Sequence, residues 1–423
     1  MKTYRVREAQ TSVALHLTDD EADKLRVIGA ALASQSRWWG STDDVSDSKR
    51  TVIQCTRTGG GHSVYVANAI GVLGLGSTQI VVEPKIPLPH LLFLLEESSE
   101  IPRDLLVQSN LSADEDFLSI IASWFMSACE TLLRRGLASD YARITADIPC
   151  ARGSIHAIAT LRAISVGRPL IRCDYDVRTE DTPLNRIMRA AALRLLGWPG
   201  MPDGLRKRCT RVAYRLSGIG DLRAGDLRTR PDTLTQHYSH AHRLARMILV
   251  GTGLSLHSGS QTTWTFLWRT PEAVESGLRA VLQRRLAEEW SLDKKRKTLS
   301  GSHRRTLNPD LVFGGDRAIA VGDVKYKHTT SGQIARTDLN QITTFATGYG
   351  VSRAAVVAFG PKSEGEFVQV GGVRVNGFNW NTDQLEAPAA ADALSMLLGR
   401  WLAELASPVQ LSDSSSVRSS GRR

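Results

Sequence analysis

The sequence predicts a multidomain α+β or α/β protein: a β-rich N-terminal domain, a helical middle region, and a C-terminal domain with a mixed sheet flanked by helices. Three observations carry this prediction. The chain has 423 residues, more than one ordinary core holds at roughly 150 residues per domain. Short β-branched runs broken by glycine fill residues 1–98, and apolar residues then recur at helical spacing. After residue 259 the pattern changes to helix, hairpin, helix, strand.

In the first region, Val64-Tyr65-Val66 and Ile80-Val81-Val82-Glu83 read as strands, with Gly59-Gly60-Gly61 and Gly74-Leu75-Gly76 as turns. The glycines do not form a phosphate loop. The chain has no G-x-x-x-x-G-K-[ST] pattern, and no G-x-G-x-x-G between a strand and a helix. Any nucleotide hydrolysis coupled to this protein must come from another chain.

The middle region, residues 99–258, predicts a helix over 112–136, capped by Ser112 with Glu115 completing a capping box. Phe117, Ile120, Ile121, Trp124, Phe125, Ala128 and Leu132 form its apolar stripe. A second helix starts at Pro183, a residue suited to a first helical position, and stops at Gly197. Its apolar positions are Ile187, Ala190, Ala191, Leu193 and Leu195. A third spans 237–250, where His237, His240 and His242 read as a polar or half-buried face rather than a metal cluster. Residues 259–406 form the third domain, and residues 407–423, rich in serine and ending in Gly-Arg-Arg, suit a disordered basic tail.

Composition narrows the function. A net charge of +10 favours a polyanionic partner. Five scattered cysteines without a CxxC pair support neither a zinc ribbon nor a disulfide framework. No apolar run long enough for a membrane span is expected, and Met1-Lys2-Thr3-Tyr4-Arg5 leads into polar sequence, so a cytoplasmic protein without a membrane partner is expected.

The chemistry concentrates in Asn308-Pro309-Asp310-Leu311-Val312-Phe313, a Gly314-Gly315-Asp316 turn, and Ala318-Ile319-Ala320-Val321-Gly322-Asp323-Val324-Lys325-Tyr326. These read as two strands of a hairpin. Alternation puts Ile319, Val321, Asp323 and Lys325 on one face. Asp310 begins the partner strand, within reach of Asp323. Two carboxylates and a lysine suit metal-assisted phosphodiester cleavage: Asp310 and Asp323 as ligands of Mg²⁺, with Mn²⁺ as a substitute, and Lys325 orienting water and offsetting charge on the phosphate. The bland alternative is a structural Asp323–Lys325 ion pair. Glu275 extends the apolar stripe of Leu278, Leu282 and Leu286 on the preceding helix and is a further candidate metal ligand, or else a helix-start carboxylate favoured by the dipole. Gln341 shares a face with Phe345 on a helix over 336–349 and is placed near the scissile phosphate, or is a half-buried polar residue. Lys294, Lys295, Arg296, Lys297, Arg304 and Arg305, with no acid among residues 294–305, are candidate contacts to the DNA backbone, or a solvated basic loop.

The paired aspartates and lysine resemble the PD-(D/E)xK endonucleases, and the chain as a whole resembles the McrC family, the nuclease subunits of modification-dependent McrBC restriction systems. The resemblance runs through Ile80-Val81-Val82-Glu83-Pro84-Lys85-Ile86, through Arg135-Gly136-Leu137, Tyr141 and Arg152-Gly153-Ser154-Ile155, and through Asp181-Thr182-Pro183-Leu184-Asn185-Arg186. It ends in Pro309-Asp310, Asp323-Val324-Lys325-Tyr326-Lys327, Asp338 and Gln341. Thr270-Pro271-Glu272-Ala273-Val274-Glu275 stands where the family has an Asn-x-Leu-Phe-Glu helix, Asn340-Gln341 where it has Tyr-Gln, and Phe345 in place of a tyrosine. The resemblance implies a DNA endonuclease subunit acting on methylated DNA. It would bind and stimulate an AAA+ GTPase of McrB type through residues 1–240. A catalytically silent ring activator and a stand-alone repair nuclease are the alternatives.

Overall fold

The computed structural model describes residues 1–34, 52–103, 115–251, 257–258, 261–301, 305–329, 333–384 and 386–406. The chain forms two compact units, Met1–Leu88 with Ser98–Ala273, and Pro89–Glu97 with Val274–Arg423. The expected divisions at residues 98 and 258 therefore differ from the units observed. The β-rich and middle regions share one unit, and it extends past the expected start of the third domain.

The first unit opens with β1 (Lys2–Arg7) and α1 (Asp19–Ala33). The hairpin β2 (Ile53–Thr58) and β3 (Gly61–Val66) follows, and then β4 (Ala69–Gly74) and β5 (Thr78–Glu83). Helix α1 is not among the expected elements. Its signal lies in Thr18-x-x-Glu21, a capping box that the structure forms in both directions, ahead of Leu25, Ile28 and Leu32 at helical spacing. Those three are fully buried among the strands of the N-terminal core. Helix α2 (Leu88–Glu97) leaves this unit and belongs to the second.

Helix α3 (Phe117–Arg135) starts later than expected, because Asp116 is its cap and accepts from the Ser119 amide at 3.0 Å. Ser112 lies outside the described residues. α3 is long and apolar enough to cross a membrane by composition, but more than half of it is buried within the unit, packed with neighbouring helices.

The middle region is not mainly helical throughout. β6 (Asp140–Ile148), β7 (Ser154–Ile155) and β8 (Ile171–Thr179), with α4 (Ala157–Ser165), form a three-stranded antiparallel sheet in the order β6-β8-β7. Its residues are mostly exposed, yet Ile171-Arg172-Cys173-Asp174-Tyr175-Asp176-Val177-Arg178 alternates apolar and polar, a strand signal set among long helical stripes. α5 (Pro183–Leu196) is capped by Thr182 and ends at Gly197, as expected, but Leu193 is exposed. The stripe that packs is Leu184, Ile187, Met188, Ala191, Ala192 and Leu195.

α6 (Asp203–Arg215) and α7 (Ser239–Gly251) complete the helical layer. The short pair β9 (His257–Ser258) and β10 (Gln261–Thr262) leads to β11 (Trp264–Arg269), which closes the sheet β1-β5-β4-β11. Polar side chains hold the helices in register. Buried Asn185 donates to the carbonyls of Ala138 and Glu180 and accepts from the Tyr238 hydroxyl. Arg186 grips Asp226 with two bonds, at 2.9 and 3.0 Å. His242 is buried against the Thr229 carbonyl, and burial drives its pKa down to about 4, so it is a neutral core histidine. All five cysteines are free.

The second unit is built on a six-stranded mixed sheet. α8 (Pro271–Leu286) runs into β12 (Leu292–Asp293), and β13 (Lys297–Thr298) pairs with β14 (Thr306–Leu307) beside the main sheet. β15 (Leu311–Phe313) and β16 (Ala320–His328) form the expected hairpin, with Val312 opposite Val321. Its turn is longer than three residues, and Ile319 lies outside the strand, bonding its amide to the Phe313 carbonyl. α9 (Arg336–Tyr349), β17 (Arg353–Gly360), β18 (Glu364–Val370), β19 (Val373–Asn381) and α10 (Ala387–Ala406) follow. The strand order is β12-β15-β16-β17-β19-β18, parallel at β16–β17 and β17–β19 and antiparallel elsewhere.

One face buries Val321, Ala354, Val356 and Val375 against Ile342 and Ala346 of α9. The residues of the tail, 407–423, lie outside the described residues. Aromatic contacts bring Trp401 of α10 against Phe313 and Phe378. α2 is tied in by His90, which accepts from the Trp380 indole at 2.7 Å and donates to the Gln384 carbonyl at 2.9 Å. α2 and α8 touch backbone to backbone. A Cβ on Gly277 would lie 2.1 Å from the Leu94 carbonyl oxygen. Gly277→Val should therefore push the two helices apart at a cost of about 1–3 kcal/mol, read as a lower melting temperature. An unchanged melting temperature would show that this approach is not required.

Candidate active site

The hairpin of β15 and β16 builds the site. Leu311 pairs with Gly322, and continuing that antiparallel register sets Asp310 opposite Asp323. The Asp310 carboxylate, just before β15, accepts from the Val324 amide at 3.2 Å. Both aspartates are buried, at 7% and 3% exposure. Immediately beyond, the pairing of β16 with β17 shifts: Val324 pairs with Val357, yet His328 pairs with Phe359. The irregularity covers Lys325 to Lys327. Such bulges re-aim side chains and recur beside active sites.

Lys325 Nζ lies 2.6 Å from an oxygen of Asp323 and donates to Gln341 Oε1 of α9 at 2.7 Å. These two contacts differ in kind. The directional bond goes to Gln341, while Asp323 Oδ2 is buried without a hydrogen bond of good geometry, so its contact with Lys325 is chiefly electrostatic. Burial is the largest influence on Asp323. With Asp310 adding to it and Lys325 opposing it, burial pushes the carboxyl pKa up to about 7. Burial also works against the charge on Lys325, but the neighbouring carboxylates outweigh it and raise the lysine pKa, so the ammonium stays charged.

The structure gathers Asp310, Asp323, Lys325 and Gln341, as the sequence predicts. Beside them stand Lys294, expected as a contact to the DNA backbone, and Lys327 and Asp338, both in the stretch that carries the family resemblance. Lys294 Nζ lies 3.0 Å from Asp310, so this member of the basic run is a counter-ion inside the site. Lys327 holds Asp338 by both oxygens, each at 3.0 Å. A narrow cleft lined by Lys325, Lys327, Ile334, Asp338, Phe378 and Asn379 adjoins this pair. Arg279, one turn after Glu275 on α8, donates to Ser276 and reaches the Asp310 carbonyl at 3.5 Å.

Glu275 itself is half-buried on α8. Among the described residues, no three His, Cys, Asp or Glu side chains assemble as a ready metal site. The rest of the basic run folds back on its surroundings. Lys295 donates to the Gly315 carbonyl, Lys297 stacks over Tyr349, and the Tyr349 hydroxyl donates to the Lys295 carbonyl. Arg296 and Arg305 are exposed, and Arg304 lies outside the described residues.

The donor set suits a hard divalent cation: two facing, buried carboxylates whose oxygens are met here by lysine ammonium groups. Charge on Asp323 is disfavoured in the folded state. Because its folded pKa is raised, the folded protein binds more protons than the unfolded chain above the ordinary carboxylate pKa of about 4, and stability falls as pH rises. In metal-free buffer the melting temperature of the wild type relative to Asp323→Asn should fall between about pH 4 and pH 8, whatever the offset between the two proteins. A flat difference would mean that Asp323 is not held in this environment.

Among known proteins, the family model described as McrBC 5-methylcytosine restriction system component matches residues 64–359. The Type IV methyl-directed restriction enzyme EcoKMcrBC of Escherichia coli (strain K12) is 26% identical over 142 residues, which is 33% of this chain and 40% of that relative. A chain in the Thermococcus gammatolerans assembly of McrB AAA+ hexamers with bound McrC superposes with a TM-score of 0.67 at 14% identity, covering 95% of this chain and all of that one.

Proposed function

Since the chain belongs to the McrBC 5-methylcytosine restriction system component family and is of the McrC type, we propose that it is a Mg²⁺-dependent DNA endonuclease subunit of PD-(D/E)xK type. In this reading it cuts DNA carrying a 5-methylcytosine-type modification, and its first unit engages and stimulates an AAA+ GTPase ring of McrB type. The observation that carries the reading is the facing pair Asp310 and Asp323 with Lys325 between Asp323 and Gln341. The likeness to the McrB-bound assembly supports the fold of the whole chain, and the partner is inferred from it.

Asp310 and Asp323 would hold the cation, which supplies Lewis-acid stabilisation of the phosphate. Lys325 remains protonated. Its ammonium places positive charge where the phosphate gains negative charge as water adds to phosphorus and the alkoxide leaves. Gln341 fixes the Lys325 head through its side-chain oxygen, so the ammonium keeps one direction while substrate arrives. Lys294 must give up some of its hold on Asp310 when a cation binds there, since both draw on the same carboxylate.

One observation favours a second reading, a ring activator that does not cut: Asp310 is already neutralised by Lys294 and, among the described residues, no third acid joins the pair. Cleavage of methylated and unmethylated plasmid separates the two. Wild type with Mg²⁺, the partner NTPase and GTP should cut the methylated plasmid. Asp323→Ala should lose cutting by at least about a hundredfold while still binding the partner. Cutting that survives Asp323→Ala would remove the site from the reading. No cutting by wild type beside an active NTPase would establish the activator instead.

A further inference from the structure

Helix α6 carries five Lys or Arg in its 13 residues, against a single acid, Asp203. Two of the five explain themselves. Arg206 donates to the carbonyls of Leu196, Trp198 and Pro199, and Arg208 forms a two-bond pair with Glu130 of α3. The other three do not. Lys207, Arg211 and Arg215 make no hydrogen bond or ion pair among the described residues, and all three are exposed.

They stand four residues apart, which puts them on one stripe about 6 Å from step to step along the axis. Like charges at that spacing repel and weaken a helix, and cations in its first turns oppose the dipole. Asp203, one turn before Lys207, and Glu130, which attracts Arg211, are the acids set against this charge. The α3 end adds Arg134 and Arg135, also exposed. An open groove lined by Glu130, Leu133, Arg134, Arg211, Val212 and Arg215 runs between the two helices. Tyr214, 77% exposed, sits within the same stretch of α6. The acid in that lining, Glu130, is already paired with Arg208.

We infer that this α3–α6 face of the first unit is a second DNA-binding surface, contacting the phosphate backbone of duplex DNA without reading sequence. A helix stripe with a cation about every 6 Å meets a strand bearing a phosphate about every 3.4 Å of duplex axis, so each side chain has an acceptor within reach whatever the bases. The inference rests on DNA being the substrate of the proposed nuclease, but not on cleavage, so binding and cutting are read separately.

The test uses the full chain in EDTA with a fluorescein-labelled, unmodified duplex about three helical turns long, followed by anisotropy across a salt series. A triple variant, Lys207→Ala with Arg211→Ala and Arg215→Ala, should bind at least about tenfold more weakly. Its salt slope should be shallower by about three, one for each cation removed from a phosphate, with an unchanged melting curve. Lys207→Arg with Arg211→Lys and Arg215→Lys should bind as wild type does, because only charge is used. Wild-type affinity and slope in the triple alanine variant would overturn the inference and leave the nuclease reading intact. So would failure of that variant to bind the partner NTPase while its duplex binding is unchanged, which would make the face a protein interface.

Discussion

Two buried carboxylates face each other across a hairpin, and the second unit is arranged around keeping them there. Aspartates directly opposite one another on antiparallel strands repel and lose hydration at once. The protein answers with two lysines and one main-chain amide. Lys325 comes from the same strand as Asp323, Lys294 from the segment leading into the hairpin, and the Val324 amide from across the ladder. Gln341 and Asp338 of α9 then hold Lys325 and Lys327. Removing one charge from such a group strands the others, and breaking a buried pair costs about 3–5 kcal/mol. The arrangement stands or falls as a unit, so α9, the hairpin and the 294 segment must dock together.

Much of this is legible in the sequence, for physical reasons that are specific. Asp310, Asp323 and Lys325 can be placed because a strand alternates and a hairpin opposes its ends, two rules that need no tertiary information. Gln341 follows from helical spacing. The register break at Lys325–Lys327 is not legible, since it depends on how many residues β17 offers to pair. Lys294 differs in kind from what its neighbours suggest. As part of a basic run it looks like a DNA contact, and only the fold reveals that residue 294 returns to residue 310. Helix α1 escapes a reading based on strands and glycines, although Thr18-x-x-Glu21 spells out its start. The β6–β8 sheet does leave a trace, the apolar–polar alternation of Ile171–Arg178, which a reading led by the long helical stripes on either side passes over.

The first unit uses its polar groups differently. Asn185 and Arg186, adjacent on α5, are buried side by side, and both are engaged with main-chain carbonyls, Tyr238, Asp181 and Asp226. Every polar atom so placed fixes a loop end against a helix, which apolar packing alone does loosely. These are residues of the Asp-Thr-Pro-Leu-Asn-Arg stretch that carries part of the family resemblance. The structure gives them a scaffolding role and no chemistry of their own.

Charge then sorts the two units. In the second, acids are drawn inward and lysines follow them, so Asp310, Asp323 and Asp338 are each met by a lysine. Local neutrality of that kind does not attract a polyanion from a distance. In the first unit Lys207, Arg211 and Arg215 of α6 face outward and form no ion pair among the described residues. A site that must be nearly neutral to fold cannot also supply the long-range pull on DNA, because the charges that would attract the phosphates are already engaged by the aspartates. In the proposed reading, separating attraction from chemistry would resolve that conflict: exposed cations would gather the duplex where field lines pass through water, and a compact, self-compensated cluster would meet the scissile phosphate only at contact.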